Sequence, residues 1–122
     1  MRFVHRSICT TPLALLVACG GSTTMAAPTP PALTASVAAT EAIAFTPNSV
    51  TIQKGGTITF VFGQIAHNVY FANAQTGAPG NITGVNANVS KPLTFNSTGT
   101  FIYNCHIHPG MQGTVIVAGS AP

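Results

Sequence analysis

The sequence predicts an all-β fold, a two-sheet Greek-key β-sandwich of seven to eight short strands. The 122-residue chain is long enough for one domain. Its body is divided into short segments rich in Val, Ile, Thr and Phe, which are residue types that favour strands. Turn residues separate these segments, and no helical periodicity of useful length interrupts them. Short strands at this spacing are typical of a sandwich.

The N-terminus has the features of an export signal. Two Arg and one His lie in the first six residues, and residues 8–18 form an apolar stretch too short to span a bilayer. We expect residues 1–18 to be a signal peptide of the lipoprotein type. The tetrapeptide Leu16-Val17-Ala18-Cys19 is similar to the bacterial lipobox, which would make Cys19 the lipidated first mature residue. Cleavage near Ala27 would instead give a soluble periplasmic or secreted form.

The rest of the chain divides into a linker and a domain. Residues 19–40 are expected to form a flexible linker, because Gly, Ser, Thr, Ala and Pro dominate them. Residues 41–122 form the predicted folded domain, with turns at 47–48, 54–56, 63–64 and 97–99. The stretch 72–88 gives no clear strand. The predicted strands are 42–45, 49–53, 57–62, 67–71, 91–95, 100–104 and 114–117.

Charge is nearly absent from the predicted domain. The net charge of +3 includes two Arg of the signal segment, and only Glu41, Lys54 and Lys91 carry formal charge beyond it. No basic patch is available to neutralise phosphates, so the pI of about 9.1 does not indicate nucleic-acid binding.

Cysteine positions point to a single thiol in the domain. Cys9 lies in the signal segment and Cys19 at the lipobox, so Cys105 remains alone and no disulfide can form within the domain. A small exported domain often needs a covalent or metal cross-link, and a bound metal would also occupy this thiol.

One cluster of residues carries metal chemistry. Cys105, His108 and Met111 follow one another at three-residue intervals, and His67 lies about forty residues upstream. A thiolate, two imidazoles and a thioether form a soft, mixed ligand set that suits copper in both oxidation states. Side chains alternate along a strand, so Cys105 and His67 should point inward with their apolar neighbours. The turn residues Pro109-Gly110 can fold the other donors back.

Each of these residues also has a simpler interpretation. Cys105 could be an inert buried thiol, His67 a hydrogen-bonded core histidine and Met111 a packing residue. Their joint spacing favours ligation. A structural zinc site would not need Met111. A Cys-His hydrolase would need an orienting acid, and the only side-chain carboxylate of the chain is Glu41.

The chain resembles the cupredoxins, the type 1 blue copper proteins, and is most similar to their plastocyanin and amicyanin branch. The resemblance rests on His67-Asn68-Val69-Tyr70-Phe71 and on the loop Cys105-x-x-His108-x-x-Met111, whose short spacing is more like that of amicyanin. Phe45-Thr46-Pro47 and residues 50–55 look like first strands of the family. The similarity extends over residues 41–118.

The resemblance implies a specific metal centre and a cupredoxin-like, plastocyanin-like domain. His67, Cys105 and His108 would bind one copper ion in a trigonal plane, with Met111 as a long axial ligand. Asn68 would tie the ligand-bearing segments together by hydrogen bonds. Copper would cycle between Cu(II) and Cu(I). His106 should point away from the metal, although a second, looser copper contact there stays open.

The implied function is one-electron transfer between redox partners in the bacterial cell envelope, without enzyme activity. A periplasmic copper carrier or buffer is the alternative. We expect a monomer in the periplasm or cell envelope, attached to the membrane only through a lipid on Cys19. Redox partner proteins would dock on a small apolar patch near His108, formed by Ile107, Pro109, Gly110 and Ala66.

Overall fold

The fold was obtained as a computed structural model, which describes residues 20–21, 25–72 and 75–120. These residues form eight strands and no helix, which confirms the all-β prediction and the predicted number of strands. None of them forms a helix with the length and apolarity needed to cross a membrane. The strands are β1 (Ala32–Thr40), β2 (Ala44–Thr46), β3 (Ser49–Phe62), β4 (His67–Phe71), β5 (Ile82–Asn86), β6 (Val89–Phe95), β7 (Gly99–Asn104) and β8 (Gln112–Ala118).

The strands follow one hydrogen-bonded order, β2-β1-β3-β8-β7-β4-β5, and β6 pairs separately with β3. The β1–β3 and β3–β8 pairs are parallel, and the other pairs are antiparallel. Parallel neighbours that are distant in sequence require crossover connections, as expected of a Greek-key arrangement.

The long strand β3 changes partner half-way along its length. Residues 49–53 pair with β8, whereas residues 56–62 pair with β6. Gly55 has a φ of 83° at the point of change, and the β1 register shifts there. A side chain on Gly56 would approach the carbonyl oxygen of Leu33 to 2.9 Å. The predicted turn at 54–56 is wrong, because β3 continues through these residues and the glycines bend the strand without ending it.

Aromatic side chains fill the space between two layers of strands. Tyr103 on β7 contacts Phe45 on β2 and Phe60 on β3, with ring centroids 4.8 and 5.3 Å apart. Phe95 on β6 contacts Phe101 on β7 at 5.7 Å. These strands are not hydrogen-bonded neighbours, so their side chains meet face to face across the core. All five rings are buried.

Two strands lie where none was predicted. β1 occupies residues 32–40, so the flexible-linker prediction for 19–40 is wrong over this part and the folded domain begins before residue 41. Its Ala-rich sequence has little intrinsic strand preference, but pairing with β3 and burial of Val37 and Ala39 stabilise it. β5 was missed because only its first and last residues are buried. The proposed signal peptide and Cys19 lie outside the described residues.

Candidate metal centre

The candidate centre lies at the pole where β4 begins and β7 ends. These strands are antiparallel, with Tyr70 opposite Asn104 and Phe71 opposite Tyr103. The first residue of β4, His67, therefore lies at the same end of the pair as Cys105, which follows the last residue of β7. The short segment 105–111 then leads into β8 and returns over this pole.

Three of the four predicted ligands come together as a compact triangle. His67 Nδ1 lies 3.1 Å from His108 Nδ1, and Cys105 Sγ lies 3.9 Å from the first of these nitrogens and 3.7 Å from the second. His67 and Cys105 are buried, and His108 is half-buried. A point in the plane of the three atoms lies about 2.1 Å from each, which is close to ordinary metal–nitrogen and metal–sulfur bond lengths. The triangle therefore fits one small metal ion.

The segment 105–111 is held closed by its own backbone. Cys105 N–H donates to the carbonyl of Met111 (3.0 Å), and Met111 N–H donates to the carbonyl of His108 (3.2 Å). Gly110 has a φ of 87°, a conformation that glycine adopts without steric cost. Pro109 precedes it in the turn. The Met111 side chain is buried and belongs to the same core cluster as Cys105.

Two buried asparagines support the segments that carry the candidate ligands. Asn68 Oδ1 accepts a hydrogen bond from His106 N–H at 2.7 Å, and Asn68 Nδ2 donates to the carbonyl of Gly84 at 3.3 Å. Asn86 Nδ2 donates to the carbonyl of His67 at 3.0 Å. The expectation that Asn68 ties the two ligand-bearing segments together agrees with these contacts.

The His67 ring is fixed from behind by the backbone of β1. Its Nε2 lies 3.1 Å from the carbonyl oxygen of Thr40, so Nε2 carries the proton and donates. Burial, followed by repulsion from His108, lowers the pKa of His67, and the hydrogen bond to Thr40 opposes this shift. The neutral form with a free Nδ1 lone pair is therefore favoured, which is the form a metal requires.

His106 lies apart from the triangle. Its exposed ring stacks on Tyr70, with centroids 3.9 Å apart and planes 9° apart. The stack borders a surface cavity of about 300 Å³ that Asn81 and Asn104 also line. The predicted outward orientation of His106 agrees with this position.

Sequence reasoning missed two residues of the centre. Asn86 lies in an Asn- and Gly-rich stretch for which the sequence predicts no strand. Only its burial in the structure distinguishes it, as part of the centre, from the other polar residues that the structure describes in that stretch. Thr40 contributes a backbone carbonyl from a segment that was interpreted as linker. A backbone acceptor leaves no signal in residue type, so no sequence pattern could have identified it.

Comparisons with known proteins agree with this geometry. A family model described as copper binding proteins, plastocyanin/azurin family, matches residues 32–118. The chain belongs to this family. Its copper-binding character agrees with the soft donor triangle, and the described residues contain one such cluster, so copper is the cofactor with one ion per chain. The matched range also begins at the first residue of β1.

Solved structures of amicyanin are similar to this plastocyanin/azurin family member. Amicyanin from Paracoccus versutus (Thiobacillus versutus) is 30% identical with a TM-score of 0.61, and the match covers 74% of this chain and 92% of that chain. A reduced Cu(I) form at pH 4 of an amicyanin mutant is 26% identical with a TM-score of 0.60 and the same coverage. A comparison with curated protein sequences gives no significant match.

Proposed function

We propose that this protein is a mononuclear type 1 copper protein that carries single electrons between redox partners in the bacterial cell envelope. The observation that carries the proposal is the triangle of His67, Cys105 and His108, in which one sulfur and two nitrogens already stand at metal-binding separations. Its similarity to amicyanin supports the same conclusion.

The four ligand roles follow from the chemistry of the donors. Cys105 Sγ, His67 Nδ1 and His108 Nδ1 would hold the copper ion. Met111 would supply a weaker thioether donor, since backbone hydrogen bonds tie it to Cys105 and His108 and its side chain is buried. Bound copper would supply a one-electron couple, and the Cys105 thiolate would be its softest donor.

Rigid metal ligands favour electron transfer over the catalytic turnover of a substrate. His67 is held by Thr40 and Asn86, and the segment that carries the other ligands is held by Asn68. Such contacts fix ligand orientation and tune a metal centre. Small rearrangement between oxidation states lowers the barrier to electron transfer. We assign no catalytic role to any residue.

The surface at His108 is suited to docking. Ile107 is 38% exposed, and Pro109 and Gly110 are also exposed. Ala66 is half-buried. Uncharged groups around a half-buried imidazole favour a weak, short-lived encounter with a redox partner protein. We propose that the protein acts as a monomer and does not bind nucleic acid.

The N-terminal sequence supports export to the periplasm or cell envelope. In this proposal residues 1–18 are removed, and Cys19 is lipidated and attaches the domain to the membrane. Cleavage near Ala27 would give the soluble form. Mass spectrometry of the mature N-terminus separates the two, because lipidation adds a large apolar mass to Cys19.

The proposed copper centre can be tested by adding Cu(II) to the metal-free protein and recording visible absorption and EPR spectra. We expect an intense thiolate-to-copper absorption and a narrow copper hyperfine splitting, both lost on reduction and restored on reoxidation. Cys105→Ser should abolish the absorption, whereas His106→Asn, a control at an imidazole outside the triangle, should keep it. A weakly coloured spectrum that Cys105→Ser leaves unchanged would refute a type 1 centre.

A copper carrier or buffer is the second candidate, favoured by the exposed imidazole of His106, which follows Cys105 in the sequence. Retention of Cu(I) against a competing chelator distinguishes the two functions. Tight retention through many redox cycles supports electron transfer, and rapid loss to an acceptor supports copper delivery.

A further inference from the structure

The turn between β1 and β2 contacts the centre through a backbone carbonyl. Thr40 ends β1, and its carbonyl oxygen accepts hydrogen bonds from His67 Nε2 and from Ile43 N–H, each at 3.1 Å. Its hydroxyl donates to the carbonyl of Ala44 at 3.0 Å. One residue therefore joins the backbone of the turn to the ring of a buried histidine.

The turn is also conformationally strained. Ile43 has a φ of 57°, and a β-branched residue with a positive φ is rarely stable unless its surroundings impose that conformation. The surroundings here are the β1–β2 pairing of Thr40 with Ala44 and the hydroxyl bond between the same two residues. The Thr40 hydroxyl and the Thr40 carbonyl therefore take part in hydrogen bonds of the same turn.

The carbonyl determines which nitrogen of His67 is available. A carbonyl oxygen can only accept, so Nε2 must carry the proton and Nδ1 must keep its lone pair. Nδ1 is the nitrogen that faces His108 and Cys105. If the carbonyl moved away, the ring could adopt the other tautomer, in which Nδ1 is blocked by a proton.

We propose that Thr40 is a positioning residue for the metal centre. Its hydroxyl locks a strained turn, and its carbonyl then holds His67 in the Nε2–H tautomer with Nδ1 free before any metal binds. The inference rests on the proposed ligand role of His67 but assigns a function to a residue that binds no metal. Neither the charge nor the exposure of Thr40 indicates this role.

The test uses long-range ¹H–¹⁵N NMR on the metal-free full chain under reducing conditions. We expect the wild-type His67 ring to be a single Nε2–H tautomer. Thr40→Val keeps the β-branched shape and removes the hydroxyl, and it should accelerate exchange of the Nε2 proton with water by roughly three- to tenfold. Thr40→Ser should restore the wild-type rate.

Ser36→Ala is the matched control, because Ser36 lies on the same strand and its hydroxyl also donates to a backbone carbonyl, that of Thr59 at 3.3 Å. It should leave the Nε2 proton unchanged. After copper loading, the EPR hyperfine splitting should shift in Thr40→Val and stay constant in Ser36→Ala.

A wild-type Nδ1–H tautomer would overturn the inference without any variant, even if Thr40→Val failed to fold. An unchanged Nε2 exchange rate in folded Thr40→Val would overturn it as well. Failure of the proposed function is a separate result, in which the copper-loaded wild type lacks a type 1 spectrum. The NMR measurement of the His67 tautomer in the metal-free protein would still test the role of Thr40.

Discussion

His67 is the residue in which burial, charge and ligation meet. Its side chain has no solvent exposure, and its Nδ1 lies 3.1 Å from another imidazole nitrogen. A proton on this ring would lose hydration and repel a protonated His108, and both effects lower the pKa of His67. The folded protein therefore keeps the ring neutral at the expense of stability in acid.

We predict that the metal-free protein loses stability as the pH falls below about 6.5, the ordinary His value. In this range the unfolded state binds a proton that the folded state excludes, so unfolding is favoured until the lowered pKa of folded His67 is passed. Thermal unfolding at a series of pH values measures the effect. His67→Gln should weaken the dependence of stability on pH. An equally steep pH profile in this variant would show that another group causes the loss of stability.

At the scale of elements, β7 and β8 fit together through one large and one absent side chain. Tyr103 lies opposite Gly113, and its ring covers the position that a Cβ atom on Gly113 would occupy. Burial raises the pKa of the Tyr103 hydroxyl, which has no hydrogen-bond partner among the described residues. The hydroxyl is therefore neutral, and the ring acts through packing.

Gly113→Ala should destabilise the protein by roughly 2–3 kcal/mol, because the new methyl group collides with a ring that Phe45 and Phe60 hold in place. Urea unfolding of the metal-free protein measures the loss. Gly119→Ala is the control, since no atom lies within 4 Å of its Cβ position. Equal stability of the two variants would show that the β7–β8 pair can relax around the methyl group.

For the whole molecule, the main electrostatic property is its scarcity of charge. Beyond the signal segment only Glu41, Lys54 and Lys91 are formally charged. Long-range attraction of a partner needs a larger field than three scattered charges provide. Association should then depend on apolar contact near His108, of which the exposed Ile107 is the largest side chain.

We predict that the rate of electron exchange between copper-loaded molecules changes by less than about threefold between low and high ionic strength. Stopped-flow or NMR line broadening measures this rate. Ile107→Lys places a charge at the docking surface and should make the exchange slower and clearly salt-dependent. A strong salt dependence of the wild type would contradict docking through an uncharged patch.

The sequence was most informative where side-chain chemistry specifies structure. The bounds of β4 are those predicted, and His67, Val69 and Phe71, which share one face of the strand, are all buried. The triangle of donors was predictable because Cys105 and His108 have few other uses at that spacing. Met111 as a ligand remains a proposal.

Features that depend on tertiary pairing were not predictable. β1 is stabilised by β3 rather than by its own Ala-rich composition, and Gly55 bends a strand where a turn was expected. The contact of Thr40 with His67 spans 27 residues and involves a backbone atom. Such contacts arise only after the chain has folded.

The change of partner within β3 has a consequence for how the molecule opens. The same 14 residues supply hydrogen bonds to β8 at one end and to β1 and β6 at the other. Neither layer can separate from the core without disturbing the strand that the other layer uses. Partial unfolding of one layer therefore also costs hydrogen bonds in the other layer. The protein should unfold as one cooperative unit, in which the metal pole and the opposite end unfold together.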